Sequence, residues 1–245
     1  MQIKIFQNYQ TLSEAAATMI MDFVKKKPNA LLCFATGDSP RLTYKILTEK
    51  AKEQHIDFSK CLIVGLDEWL GIAPDKPGSC HHFLHNYLFE PLSIDPAQVF
   101  LFDSMTTNEQ EECERINRIM EEKGPIDFML VGVGMNGHIG FNEPGTDIDS
   151  KAHVSVLDDT TRTVGKKYFL EEVSIRKGMT LGLKQVMQAQ TLLMMANGKK
   201  KAPVINQALE KEISNSFPAS LIRQHKQGIL MIDIEAASEL EKSNL

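Results

Sequence analysis

The chain has 245 residues, 42% of them hydrophobic and 24% charged, with 27 Lys and Arg against 32 Asp and Glu for a formal net charge of -5. That is the composition of a globular protein able to bury a sizeable core, and it lacks the basic excess that phosphate neutralisation requires, so no nucleic-acid partner is expected. No run approaches the roughly 18 apolar residues of a spanning helix, and Cys33, Cys61, Cys80 and Cys113 form no C-x-x-C pair, so a reduced, cytoplasmic protein without zinc knuckle, thioredoxin motif or membrane partner is expected.

The opening MQIKIFQNYQTLSEAA shows no basic stretch followed by a long apolar one and does not read as an export signal. Helical spacing of apolar residues follows over 12–26, then a continuous apolar run at 30–34, a second helical pattern at 41–53 and a second run at 61–66. Further runs lie at 128–131, 179–183, 191–195 and 228–232, with helical patterns at 108–122 and 200–211. Unbroken apolar runs are what strands buried on both faces require, and their alternation with amphipathic helices predicts an α/β fold with a parallel sheet and helices on both sides. No repeat and no Pro/Gly/Ser-rich linker divides the chain, so a single domain over 1–245 is expected.

In such a sheet, function sits in loops beyond the carboxyl ends of the strands. Ala35-Thr36-Gly37-Asp38-Ser39-Pro40-Arg41 offers backbone N–H groups and hydroxyls at a helix start, which suits a phosphate. The competing reading is a plain cap, with Ser39 at N-cap and Pro40 at N1. Asp38 counts against an anion. Asp67-Glu68-Trp69 ends the second run. A carboxyl there is either a desolvated general base or a solvated strand end.

The loop GVGMNGHIGFNEPG, 132–145, contains G-x-G-x-x-G after an apolar run. A dinucleotide fingerprint needs a helix at its last glycine, and Gly140 with Pro144-Gly145 argues against one. The loop instead presents His138 beside Asn136, Asn142 and Glu143, polar groups able to fix the tautomer of a proton-transferring imidazole. Asn197-Gly198-Lys199-Lys200-Lys201 reads as a solvated basic turn at Lys199 and Lys200. A lysine entering the next helix could reach an anion in a neighbouring loop. His81 and His85 have i, i+4 spacing, but with no third ligand of the H-E-x-x-H type they read as surface or helix-end residues rather than a zinc site.

Taken together, ATGDSP (35–40), LDEWLG (66–71), GVGMNGHIGFNEPGT (132–146) and NGKKKA (197–202) resemble the glucosamine-6-phosphate deaminase family in order and spacing across nearly the whole chain. The resemblance implies a modified doubly wound, mostly parallel sheet with helices on both faces. It also implies no redox cofactor, no metal, and conversion of glucosamine 6-phosphate and water to fructose 6-phosphate and ammonia. By the same resemblance Asp67 moves the proton between C2 and C1, His138 opens the pyranose ring, Glu143 orients and polarises His138, and Asn136 takes the remaining relay position. The phosphate falls to Thr36, Gly37, Asp38 and Ser39 with Lys201 as a cation. Lys167, in a segment 158–172 like the family's mobile lid, is a second cation.

Some relatives carry Asp at the place of Asn136, which leaves Glu143 as the only expected negative charge near His138. Asp38 and Lys167 stand where some relatives have a smaller residue and an arginine, and Arg-to-Lys forfeits a bidentate clamp. A monomer or small homo-oligomer is expected. The tail EAASELEKSNL is shorter than the extension of some allosteric relatives, so weak or no allostery is expected. Galactosamine-6-phosphate deamination, a phosphogluconolactonase and a noncatalytic sugar-phosphate sensor are the rival readings.

Overall fold

A computed structural model describes residues 1–241, so the last four residues of the polar tail lie outside the described ones. The first half of the chain forms β1 (Gln2–Phe6), α1 (Tyr9–Lys26), β2 (Leu31–Phe34), α2 (Asp38–Glu53), β3 (Leu62–Gly65), β4 (Asp67–Trp69), α3 (Cys80–Leu84), a π turn (His85–Phe89), α4 (Glu90–Leu92), β5 (Val99–Phe100) and α5 (Glu109–Lys123). The second half forms β6 (Phe128–Val131), β7 (His153–Val156), α6 (Asp159–Gly165), β8 (Lys177–Thr180), α7 (Leu183–Gln188), β9 (Thr191–Ala196), α8 (Ala202–Glu210) and β10 (Gly228–Asp233).

Seven strands make one parallel sheet in the order β1-β10-β9-β6-β2-β3-β5, and β4-β8-β7 make a small antiparallel one. Side chains along a strand alternate between faces. In β6, Phe128 and Leu130 join the core formed with α1 and α2, whereas Met129 and Val131 join the core formed with α5, α7 and α8. Leu32 and Phe34 against Leu31 and Cys33 in β2, and Leu193 and Met195 against Leu192 and Met194 in β9, divide in the same way. Two apolar faces explain the unbroken runs, and each such side chain withdrawn from water stabilises the fold by roughly 1.5–3 kcal/mol.

Two of the expected helices, α1 and α2, begin three residues earlier than their apolar spacing showed, whereas α5 starts one residue after the expected 108. α1 begins at Tyr9 because Asn8 and Thr11 form a capping box, and α5 follows Asn108, whose side chain accepts from the Glu111 N–H. The 200–211 pattern divides into a 3-10 turn, Lys199–Lys201, and α8.

One expected strand is corrected. The run 179–183 is not a strand of the parallel sheet: β8 ends at Thr180, pairs antiparallel with β4 and β7, and Leu183 begins α7. Its residues are buried all the same, which is why the apolar run misleads. β1, β5 and β7 carry no unbroken apolar run because they lie at sheet edges and bury less. Parallel pairing places the carboxyl ends of β2, β3, β6 and β9 on one edge of the sheet, and the four loops singled out in the sequence follow those ends.

Candidate active site

Asp67 does not end a strand in a free loop, as its sequence context implied; it opens β4. Leu66 O accepts from Leu181 N at 2.8 Å, and Asp67 then registers opposite Thr180, with Trp69 packed 4.5 Å from the Phe141 ring. The residue keeps an opening to solvent, yet its carboxyl is surrounded by protein. Burial and then the adjacent Glu68 charge push the carboxyl up to about 7, against a smaller opposing pull from the Cys80 thiol.

Glu68 is committed elsewhere. Its carboxylate accepts from the backbone N–H groups of Trp69 at 2.8 Å, Cys80 at 3.0 Å and His81 at 2.8 Å, and so ties the start of α3 to β4. Of the two adjacent acids, Asp67 is the one open to a substrate.

The glycine loop after β6 forms no helix before Ser150, which removes the dinucleotide fingerprint. It closes on itself through Gly134 N to His138 O at 2.9 Å, and a Cβ on Gly134 would lie 2.4 Å from the imidazole, so only glycine lets the ring lie there. His138 Nδ1 is 2.9 Å from the Thr161 hydroxyl and 3.5 Å from Glu143 Oε2. Asn136 Nδ2 donates to Glu143 Oε2 at 2.8 Å, and the Asp158 N–H donates to Oε1 at 3.3 Å. Burial pushes Glu143 up, but its contacts with His138, Thr161 and Asn136 outweigh it, so the carboxyl lies below its ordinary value.

Glu143 is not the only negative charge near His138, contrary to expectation. Asp158, exposed at the N-cap of α6, donates its backbone N–H to Glu143 and interacts electrostatically with the imidazole.

The loop after β2 starts α2 two residues earlier than a Ser39 cap would allow. Gly37, at φ 106°, is the N-cap, and Asp38, Ser39 and Pro40 form the first turn. A Cβ on Gly37 would lie 3.3 Å from the Tyr168 hydroxyl, which covers the loop from the lid-like segment. Lys167 Nζ reaches Asp38 Oδ2 at 2.6 Å, and Arg41 reaches Oδ1 at 3.2 Å. Lys201 is not in the adjoining loop, since β6 separates β9 from β2. It crosses to the β6 loop and donates to Val133 O at 2.6 Å. Burial and then repulsion from Lys167 lower Lys201 to about 8, with Asp38 pulling the other way.

His81 and His85 do not share one α-helix, because α3 gives way to a π turn at His85, and the His82 ring pairs with Asn86 instead. Four residues near the site were not singled out individually in the sequence: Asp158, Thr161 and Tyr168, which lie in the 158–172 segment noted only for Lys167, and Cys80, which lies outside every motif. A cleft of about 830 Å³ between β1 and α1, lined by residues such as Lys4, Phe6 and Glu14, shares none of the residues described above. Chemistry rather than cavity size marks the functional edge.

The chain matches the profile described as glucosamine-6-phosphate isomerases/6-phosphogluconolactonase over residues 7–231. It is 36% identical over 247 residues to glucosamine-6-phosphate deaminase of Thermoanaerobacter sp. (strain X514), covering 100% of this chain and 97% of that one. To glucosamine-6-phosphate deaminase 1 of Bacillus subtilis (strain 168) it is 35% identical over 239 residues, covering 97% and 99%. A solved structure of a monomeric glucosamine-6-phosphate deaminase superposes with a TM-score of 0.94 at 34% identity, covering 98% of this chain and 100% of that one. By sequence over nearly its full length, and by the architecture that carries its sheet-edge loops, the chain belongs to the family of glucosamine-6-phosphate isomerases and 6-phosphogluconolactonases.

Proposed function

We propose that the protein is an aldose–ketose isomerase and deaminase that converts glucosamine 6-phosphate and water to fructose 6-phosphate and ammonia. The observation that carries the reading is a carboxyl held near neutrality at Asp67, on the same sheet edge as an imidazole held by Thr161 and Glu143 and a helix start suited to phosphate.

His138 takes the proton of the anomeric hydroxyl and returns one to the ring oxygen, and the depressed Glu143 carboxylate stabilises the imidazolium formed between. Asp67, with a value of about 7, is balanced between taking the C2 proton and delivering it to C1. That transfer leaves an iminium at C2, to which water adds before ammonia leaves. The phosphate binds the N–H groups and hydroxyls of Thr36, Gly37, Asp38 and Ser39, with Lys201 and Lys167 as cations. Held there, it supplies binding energy remote from the reacting carbons.

The test is ammonia release from glucosamine 6-phosphate by the purified protein, with galactosamine 6-phosphate in a parallel arm. Release from the first sugar supports the reading. Release from the galacto sugar alone transfers the reading to that substrate, and release from neither overturns it. The monomeric state of the solved relative supports a monomer here, to be read by light scattering.

A further inference from the structure

Cys80 has no part in the proton transfers above, yet it lies between Asp67, assigned to one of them, and Thr36, assigned to the phosphate. Its Sγ is 3.7 Å from Asp67 Oδ1 and accepts from the Thr36 hydroxyl at 3.2 Å. The residue is 3% exposed and packs with Trp69, Ile72 and Phe141. Its backbone is fixed twice: the N–H donates to Glu68, and Ser79 caps the same helix start by accepting from the His82 N–H at 2.9 Å. The side chain therefore approaches Asp67 from a rigid base.

The direction of the sulfur contact follows from charge. A thiolate beside two carboxylates in a buried site is disfavoured, and burial, then Glu68 and Asp67, push the Cys80 thiol well above its ordinary value. The sulfur keeps its proton, and Asp67 Oδ1 is an acceptor within reach. Thr36 fixes the thiol from the other side.

We propose that Cys80 is a positioning residue for Asp67, its S–H donating to Oδ1 so that the carboxylate is held in one orientation and favoured in its charged form, with Thr36 holding the thiol in turn. The inference deepens the reading of Asp67 as the C2–C1 base and rests on it. It also joins the loop assigned to phosphate to the residue assigned to proton transfer, through two contacts. Among the described residues, the other titratable groups around Asp67 are Glu68 on its own strand, Cys33 on β2 and Tyr44 on α2. Cys33 and Tyr44 are both pushed well up by burial, with Asp67 adding to it, and stay neutral across the working range. Glu68 is unchanged in the variants compared below.

The experiment compares Cys80→Val, which fills the space without a donor, with Cys80→Ser, which retains one. Two quantities are read: the pH profile of kcat with glucosamine 6-phosphate, and the titration of the Asp67 carboxyl by carbon-detected NMR, assigned with Asp67→Asn. In Cys80→Val the Asp67 midpoint and the acidic limb of kcat move up by about half to one pH unit, the equivalent of one neutral hydrogen bond. KM stays within about twofold, because Cys80 touches only Thr36 of the groups assigned to the phosphate. Cys80→Ser returns both curves toward the parent. Cys80→Ala serves if the valine variant fails to fold. Superimposable titrations in parent and valine variant, or equal shifts with valine and serine, overturn the inference. A parent protein that releases no ammonia defeats the functional reading alone, and the Asp67 titration still decides this one.

Discussion

Two carboxyls on one edge of the sheet have opposite fates. Asp67 and Glu143 are both withdrawn from solvent, yet Asp67 is pushed up to about 7 while Glu143 lies below its ordinary value. The difference is in their neighbours. Asp67 has a second carboxylate beside it and one weak thiol donor, whereas Glu143 faces an imidazole, an amide and a hydroxyl. Burial alone does not set a charge state; what else is buried with the group does. The pair separates a proton carrier from a fixed counter-charge, as acid–base sites do when they work near neutrality.

The most direct way to break this contrast is Asp67→Asn, which lowers kcat by about a thousandfold or more with sugar-phosphate binding retained. It also raises stability at neutral pH. A carboxyl with a raised folded value binds more protons in the native state than in the unfolded one between its unfolded value near 4 and its folded value near 7. Wild-type stability therefore falls as pH rises across that window. In thermal melts the variant's advantage opens from about pH 4, reaches several degrees by about pH 7 and is flat above it.

Glu143→Gln sharpens the contrast from the other side. It lowers kcat/KM by about a hundredfold, since the imidazolium loses its counter-charge. Its stability effect has the reverse sign: a depressed carboxyl stabilises above its unfolded value of about 4.3 and loses that contribution as pH falls through its folded value. Melts of parent and variant differ at pH 7 and converge in acid. The smallest effect is at the anion loop, where Asp38→Gly releases Lys167 for a phosphate. An exposed ion pair is worth ~0–1 kcal/mol, so KM falls by about twofold to fivefold.

The sequence made the interior legible and the edges not. β2, β6, β9 and β10 could be read because strands covered on both faces must be apolar throughout. β4 could not, since three residues reading Asp-Glu-Trp carry no strand signal and are held by pairing with β8, more than a hundred residues away. The same division runs through the site. His138, Asn136 and Glu143 were legible because one glycine loop brings them together over eight positions. Thr161 and Cys80 were not, because tertiary packing brings them to His138 and Asp67 from helices with no chemical motif of their own. The Ser39 cap failed at a local level: Gly37 at positive φ let α2 begin before the residue with the best capping side chain.

The alternation of β6 between two cores has one last consequence. Sliding this strand by a single position against β2 and β9 would send Met129 and Val131 to the α1–α2 side and Phe128 and Leu130 to the other, exchanging ring for thioether in both. The same slip would carry the imidazole about 3.3 Å along the strand axis. Registration errors in the interior and misplacement of His138 are thus one event, and the packing that forbids the first also forbids the second.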